Sequence, residues 1–177
     1  MTEYTHLTGE ILFDTQRLRC RRWLPTDTDP LLAVYGDPVG AQYVGDGQPI
    51  SPEECDLWLG VTNRNYAQHG YGMFALEALS SETTIGFCGL VHPDDQPEAE
   101  VKYSLLRSHW GEGLASELVP ALLAFGAREF AMQRIIATVA PENLASQRVL
   151  QKSGMDFVEE QEDEQGLPML VFEWLSA

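Results

Sequence analysis

The chain's 177 residues carry 27 aspartates and glutamates against 11 lysines and arginines, a formal charge of −16 that opposes binding to nucleic acid and favours cationic partners. No apolar run approaches the roughly 20 residues of a membrane span, and residues 1–10 have neither a basic nor an apolar leader stretch, so a cytoplasmic location is expected. With 44% hydrophobic residues and no linker or repeat, residues 1–177 suit a single enzyme-sized domain. Along the chain, residues 17–24 alternate as a first strand with Leu18, Cys20 and Arg22 on one side. Thr26-Asp27-Thr28-Asp29-Pro30 opens a first helix with oxygen-bearing caps and an early proline. Ser51-Pro52-Glu53-Glu54 is a capping box that opens a second helix, which runs to about residue 68 and is ended by His69-Gly70. Residues 71–77, 84–91 and 99–106 read as three successive strands joined by polar turns. A long helix over about residues 113–130 places Leu114, Leu118, Leu122 and Phe125 near one face, and Pro120 within it predicts a bend or loosened turn. Residues 134–139 form a fifth strand and 146–153 a short helix closed by Gly154. Residues 155–162 and 169–175 form a hairpin around Gln165-Gly166.

Two acidic runs are expected to be solvated hairpin ends: Asp94, Asp95, Glu98 and Glu100, and then Glu159, Glu160, Glu162, Asp163 and Glu164. Cys20, Cys55 and Cys88 are scattered and odd in number, without C-x-x-C spacing, which predicts buried reduced thiols rather than a disulfide framework or a zinc site.

The segment from Tyr103 to Ser116, YSLLRSHWGEGLAS, runs a strand into a glycine turn and then into the long helix. The first N–H groups of that helix have no partner inside it, and the macrodipole makes its end electropositive. Gly111 and Gly113 permit positive φ and the close approach of a ligand, so the turn is either a tight connection or a phosphate cradle. No G-x-x-x-x-G-K-[ST] is present, and Ser116 stands where a dinucleotide fingerprint has its third glycine. Nucleoside triphosphate and NAD readings are therefore weak.

Trp110-Gly111-Glu112-Gly113-Leu114-Ala115 resembles the [Q/R]-x-x-G-x-[G/A] signature of the GNAT superfamily of acyl-CoA N-acetyltransferases. Tryptophan in first place is common in the branch that includes the ribosomal-protein alanine and serine N-terminal acetyltransferases. TQRLRCRRWLPTDTDPLLAVYGDP, TTIGFCGL and APENLASQRVLQKSGMDF also resemble that branch, in order, so the resemblance spans about residues 14–175. It implies a mixed α/β (α+β) GNAT-like fold: a central, mostly antiparallel sheet of about seven strands, splayed between the fourth and fifth, flanked by about four helices. It also implies acetyl-CoA as the acyl donor, direct attack by an amine, and no metal. The acceptor would be a primary amine, either a basic protein N-terminus or a small molecule, held in a cleft walled by the first two helices. Many relatives dimerise, so a homodimer is an allowed state.

The resemblance assigns roles residue by residue. Gly111, Glu112, Gly113, Leu114, Ala115 and Ser116, with Trp110 before them, would hold the pyrophosphate. Ser104, Leu105 and Leu106 would lend backbone to the pantetheine arm, with the Leu105 N–H facing the thioester carbonyl. Asn143 would bond the pantetheine, and Ser146 would place its hydroxyl by the sulfur. By residue type alone Asn143 is also an ordinary turn residue, and Ser146 an ordinary N-cap of the next helix. Glu100 is the candidate base, although an exposed strand glutamate is usually just solvated. Arg107, Arg148 and Lys152 are candidates for phosphate contact or for solvated charge, while His69, His92 and His109 read as surface or turn residues. The alternative to an enzyme is a CoA-binding sensor or interaction domain without turnover.

Overall fold

A computed structural model of the protein, which describes residues 4–177, contains eight strands and four α-helices among those residues. The first three residues of the stretch read for a leader lie outside the described residues. Two compact units can be distinguished: Met1–Val91 with Lys102–Leu114, and His92–Val101 with Ala115–Ala177.

The first unit contains β1 (Ile11–Asp14), β2 (Leu18–Arg21), α1 (Thr28–Tyr35), α2 (Pro52–His69), β3 (Met73–Ala78) and β4 (Thr83–Val91). It also holds the last four residues of β5 (Ala99–Leu105). β1 pairs with β2, β2 with β3 and β3 with β4, all antiparallel. β1 is an eighth strand beyond the seven read from sequence. It has four residues, carries an irregular register and buries none of its side chains, so it leaves no alternation to detect. The core is built from Leu18, Trp23, Leu31, Leu59, Phe74, Leu76 and Ile85. Trp58 of α2 meets Trp23 edge-on at 5.6 Å and Phe87 of β4 at 5.8 Å.

The capping box of α2 is complete. The Ser51 hydroxyl accepts from the Glu54 N–H at 3.3 Å, the Glu54 carboxylate accepts from the Ser51 N–H at 2.7 Å, and Gly70 closes the helix at φ +82°. Ser51→Ala should lower stability by about 1 kcal/mol in a urea melt, with the m-value unchanged. Asp27 departs from its expected role. It precedes α1 but makes no side-chain cap bond; its carboxylate instead accepts from Arg21 at 2.7 Å and from the Leu24 N–H at 2.8 Å. Arg21, an unremarkable strand residue in the sequence, is buried between Asp27 and Glu77, the latter at 2.5 Å. Removing either carboxylate would leave a buried charge poorly compensated.

Cys20, Cys55 and Cys88 are each 0% exposed, and the Cys20 and Cys88 sulfurs lie 3.7 Å apart. Cys20 lies opposite Leu76 on β3 and Cys88 opposite Phe74, so β3 lies between the two backbones that carry these thiols. Their backbones are then about two strand spacings apart, roughly 9.5 Å, beyond the reach of a disulfide. Burial pushes the Cys20 thiol well above its ordinary range. Native protein should therefore resist a thiol reagent at neutral pH and release its full thiol count only on unfolding. Fast labelling of the folded state would contradict the packing.

The second unit contains the first three residues of β5, α3 (Leu114–Phe130, from Ala115 onward), β6 (Arg134–Val139), α4 (Leu144–Lys152), β7 (Asp156–Glu162) and β8 (Pro168–Leu175). β6 and β8 pair antiparallel, as do β8 and β7, which form the expected hairpin. β5 and β6 pair parallel through Ala99↔Ile135 and Glu100↔Ile136. The expected apolar face of α3 is buried at Leu114, Leu118, Leu122 and Phe125, with Val119 and Leu123 beside it. Pro120 faces solvent within a continuous helix, and its missing N–H deprives the Ser116 carbonyl of its helical donor.

The acidic runs separate by environment. Asp94 and Asp95 are exposed in a turn, and Glu159, Glu160, Glu162, Asp163 and Glu164 are exposed in the C-terminal hairpin. Glu98 instead pairs with Arg134 at 2.7 Å, and Glu100 is 2% exposed, so neither is a simple solvated hairpin charge.

Candidate active site

In the first unit, β5 delivers the chain to the glycine turn with its last peptides fixed in orientation. A Cβ placed on Gly86 of β4 would lie 2.3 Å from the Ser104 carbonyl oxygen, so that carbonyl faces β4. The peptides are trans, and the Leu105 N–H therefore points to the opposite edge. The next peptide agrees. The Leu106 N–H donates to the Ile85 carbonyl of β4 at 2.8 Å, which turns the Leu105 carbonyl away from β4, where it accepts from the Trp110 indole N–H at 2.8 Å. Thus both polar groups of Leu105 face away from β4, while its side chain is buried.

A short 3₁₀ turn over Arg107–His109 leads to Trp110, which is 49% exposed, and then to Gly111, Glu112 and Gly113. Gly111 has φ +75° and Gly113 φ +77°, the left-handed region that L side chains seldom adopt. Among the described residues other than its chain neighbours, a Cβ on Gly111 would meet nothing within 4 Å, and one on Gly113 would meet the Arg17 guanidinium at 3.8 Å. The turn is therefore open on its outer side, a cradle that side chains would fill, and α3 begins immediately after it with the N–H groups of Leu114, Ala115 and Ser116. That geometry fits an anionic phosphate group. Of the cations read from sequence, Arg107 is engaged by Asp37 at 2.6 Å and His109 lies 3.6 Å from Glu112.

In the second unit, Glu100 sits at the last paired position of β5 with β6. One carboxylate oxygen accepts from the Thr138 hydroxyl at 2.5 Å and the other from the Gln96 side-chain amide at 3.2 Å. This carboxylate is held and oriented, unlike a solvated strand glutamate. Asn143, not Ser146, caps α4: its side-chain oxygen accepts from the Ser146 N–H at 3.2 Å. The cap fixes the Asn143 side chain and draws it over the first turn that carries Ser146, both residues being partly exposed. Arg148 and Lys152 are exposed on α4.

The first unit thus gathers Ser104, Leu105, Leu106, Trp110, Gly111, Glu112, Gly113 and Leu114, and the second holds Glu100, Ala115, Ser116, Asn143 and Ser146. Residues 17–156 match the family described as "Acetyltransferase (GNAT) domain". The chain belongs to the GNAT acetyltransferase family. Among its GNAT relatives, the protein named uncharacterized N-acetyltransferase p20 of Bacillus licheniformis is 30% identical over 147 residues, spanning 80% of this chain and 83% of p20. The solved structure of RimL, a ribosomal L7/L12 alpha-N-protein acetyltransferase in complex with coenzyme A, superposes with a TM-score of 0.80 at 19% identity, covering 94% of this chain and 98% of RimL. The microcin C7 self-immunity acetyltransferase MccE, in complex with acetyl-CoA and AMP, gives a TM-score of 0.76 at 10% identity, covering 96% and 97%. At these identities the two structures establish the shared GNAT fold, and the family establishes an N-acetyltransferase.

Three residues that contact these GNAT segments carried no signal of those contacts in the sequence. Thr138 and Gln96 earn notice only through their bonds to Glu100, across 38 residues in one case. Arg17 comes to the glycine turn from 95 residues away, its guanidinium donating to the Glu112 carbonyl at 2.9 Å. No local spacing encodes such contacts. The one available cue for Arg17 was its place in the first family-like segment.

Proposed function

We propose that this GNAT enzyme transfers an acetyl group from acetyl-CoA to a primary amine by direct attack, without a covalent enzyme intermediate. The observation that carries the reading is the open glycine turn, with two successive positive-φ glycines delivering the chain into α3. Acetyl-CoA supplies the acetyl group as a thioester. In this reading the backbone N–H groups from Gly111 to Ser116 hold its pyrophosphate. Ser104, Leu105 and Leu106 receive the pantetheine arm, and the Leu105 N–H donates to the thioester oxygen, on which negative charge develops as the amine attacks. Asn143 bonds the arm through its amide N–H₂, since its oxygen serves the cap. Glu100 accepts, through a water, the proton that the attacking nitrogen loses. Ser146 donates a hydrogen bond to the departing thiolate, with solvent supplying the proton.

The formal charge of −16 supports a cationic acceptor, either a basic protein N-terminus or a small-molecule amine. Thiol release measured over a panel of polyamines, amino sugars and basic N-terminal peptides tests the reading. Acetyl-CoA-dependent release with at least one amine is expected. Tight acetyl-CoA binding with no release across the panel would favour a CoA-binding module without turnover.

A further inference from the structure

We infer that Trp110 is a positioning residue for acetyl transfer: its indole N–H holds the peptide that follows Leu105, and through it the Leu105 N–H, in the orientation that receives the thioester oxygen. This rests on the reaction and donor assignment proposed above. Trp110 is 49% exposed, so its ring gains only part of what burial offers. The indole's one polar atom is a donor, and it is committed to the Leu105 carbonyl at 2.8 Å. Trp110 therefore acts on the backbone of β5 and brings no charge to an anion.

Strand β5 ends at Leu105, so the Leu105–Leu106 peptide stands where the strand stops. On one side its N–H donates to the Ile85 carbonyl of β4 at 2.8 Å, and on the other its carbonyl accepts from the indole. The peptide is thus gripped at both ends of its dipole, and turning its plane would break both bonds. The Leu105 N–H lies on the same edge as the Leu105 carbonyl, away from β4, as established above. Holding that carbonyl therefore holds the donor that meets the developing negative charge. The 3₁₀ turn folds Trp110 back onto Leu105: the His109 N–H donates to the Leu106 carbonyl at 2.9 Å and the Trp110 N–H to the Arg107 carbonyl at 3.1 Å. Gly111 follows at φ +75°, so one residue ties the end of β5 to the start of the glycine turn. The glutamine or arginine that the GNAT signature has at this position carries an N–H the same number of bonds from Cα as the indole N–H. A glutamine can therefore offer the same bond without a ring.

The test compares wild type with Trp110→Phe, which keeps a ring and loses the donor, and Trp110→Gln, which loses the ring and keeps a donor. In the ligand-free protein, amide exchange followed by NMR should show the Leu106 N–H exchanging about fivefold faster in Trp110→Phe, the effect of one net hydrogen bond, and returning toward the wild-type rate in Trp110→Gln. With the amine that gives wild type its fastest thiol release, Trp110→Phe should lower kcat by about tenfold or more, while the acetyl-CoA Kd from calorimetry stays within about threefold. Trp110→Gln should recover most of that kcat even where its Tm is the lower of the two. A role in packing alone gives the reverse order, with Trp110→Phe active and Trp110→Gln impaired, and overturns the inference. Unchanged Leu106 exchange in Trp110→Phe also overturns it. So does a loss of acetyl-CoA affinity as large as the loss of kcat, which would make Trp110 a donor-binding residue. Absence of turnover by wild type with every amine strikes the proposed reaction instead, and the exchange rates still decide whether the indole holds the peptide.

Discussion

Gly113→Trp should remove acetyl-CoA binding, weakening it by more than about a hundredfold, as expected when a set of charge-assisted phosphate contacts is blocked. The indole would project from a turn whose outer side is open except for Arg17 at 3.8 Å, so it would occupy the cradle rather than collide with the core. Forcing an L residue to φ +77° costs about 1–2 kcal/mol, so the variant should melt lower but still fold. Gly166→Trp is the matched control. Gly166 has φ +76° and equally open surroundings, but it lies in the turn of the C-terminal hairpin. It should show a similar loss in Tm with acetyl-CoA affinity intact. Calorimetry and thermal melts on the pair separate obstruction from strain. Wild-type affinity in Gly113→Trp would remove the glycine turn from the donor site.

Glu100→Gln should lower kcat by about 10²–10⁴-fold, the usual contribution of a positioned proton acceptor, while leaving the acetyl-CoA Kd within about twofold. The substitution keeps the shape of the side chain, and its amide oxygen can still accept from the Thr138 hydroxyl. Its new N–H₂, however, would face the Gln96 amide, which now donates to Glu100 at 3.2 Å. Two donors would then confront each other at a buried position, at a cost of about 1–3 kcal/mol unless Gln96 turns its amide over. An unchanged kcat in Glu100→Gln would mean that the amine loses its proton without help from the protein, leaving Glu100 a purely structural anchor at the end of the β5–β6 ladder.

Local chemistry determined the elements and the family. The capping box at Ser51 and Glu54, the glycine stop at Gly70, the apolar stripe of α3 and the order of four family-like segments were all legible, because each is written in residues close together in sequence. Gly111 and Gly113 were recognisable as positions built for positive φ, and both adopt it. What escaped were the elements and contacts whose partners are far apart in sequence. β1 is held by pairing with β2 rather than by any pattern of its own. Asp27 reads as a helix cap, yet the Arg21 guanidinium competes for the same carboxylate and wins. Asn143 and Ser146 exchanged cap roles because the helix begins two residues earlier than the serine suggests, at Leu144.

Sequence by itself therefore determined that this chain is a GNAT acetyltransferase and that Gly111 and Gly113 form a positive-φ turn ahead of the long helix, since glycine spacing and capping act over a few residues. Only the tertiary structure decided the state of the side chains around that chemistry. It buried Glu100 between Thr138 and Gln96, bound Arg107 to Asp37 and brought Arg17 to the glycine turn. Whether a charge is solvated, paired or aimed at a ligand depends on which groups folding places within about 3 Å of it, and those groups come from elsewhere in the chain.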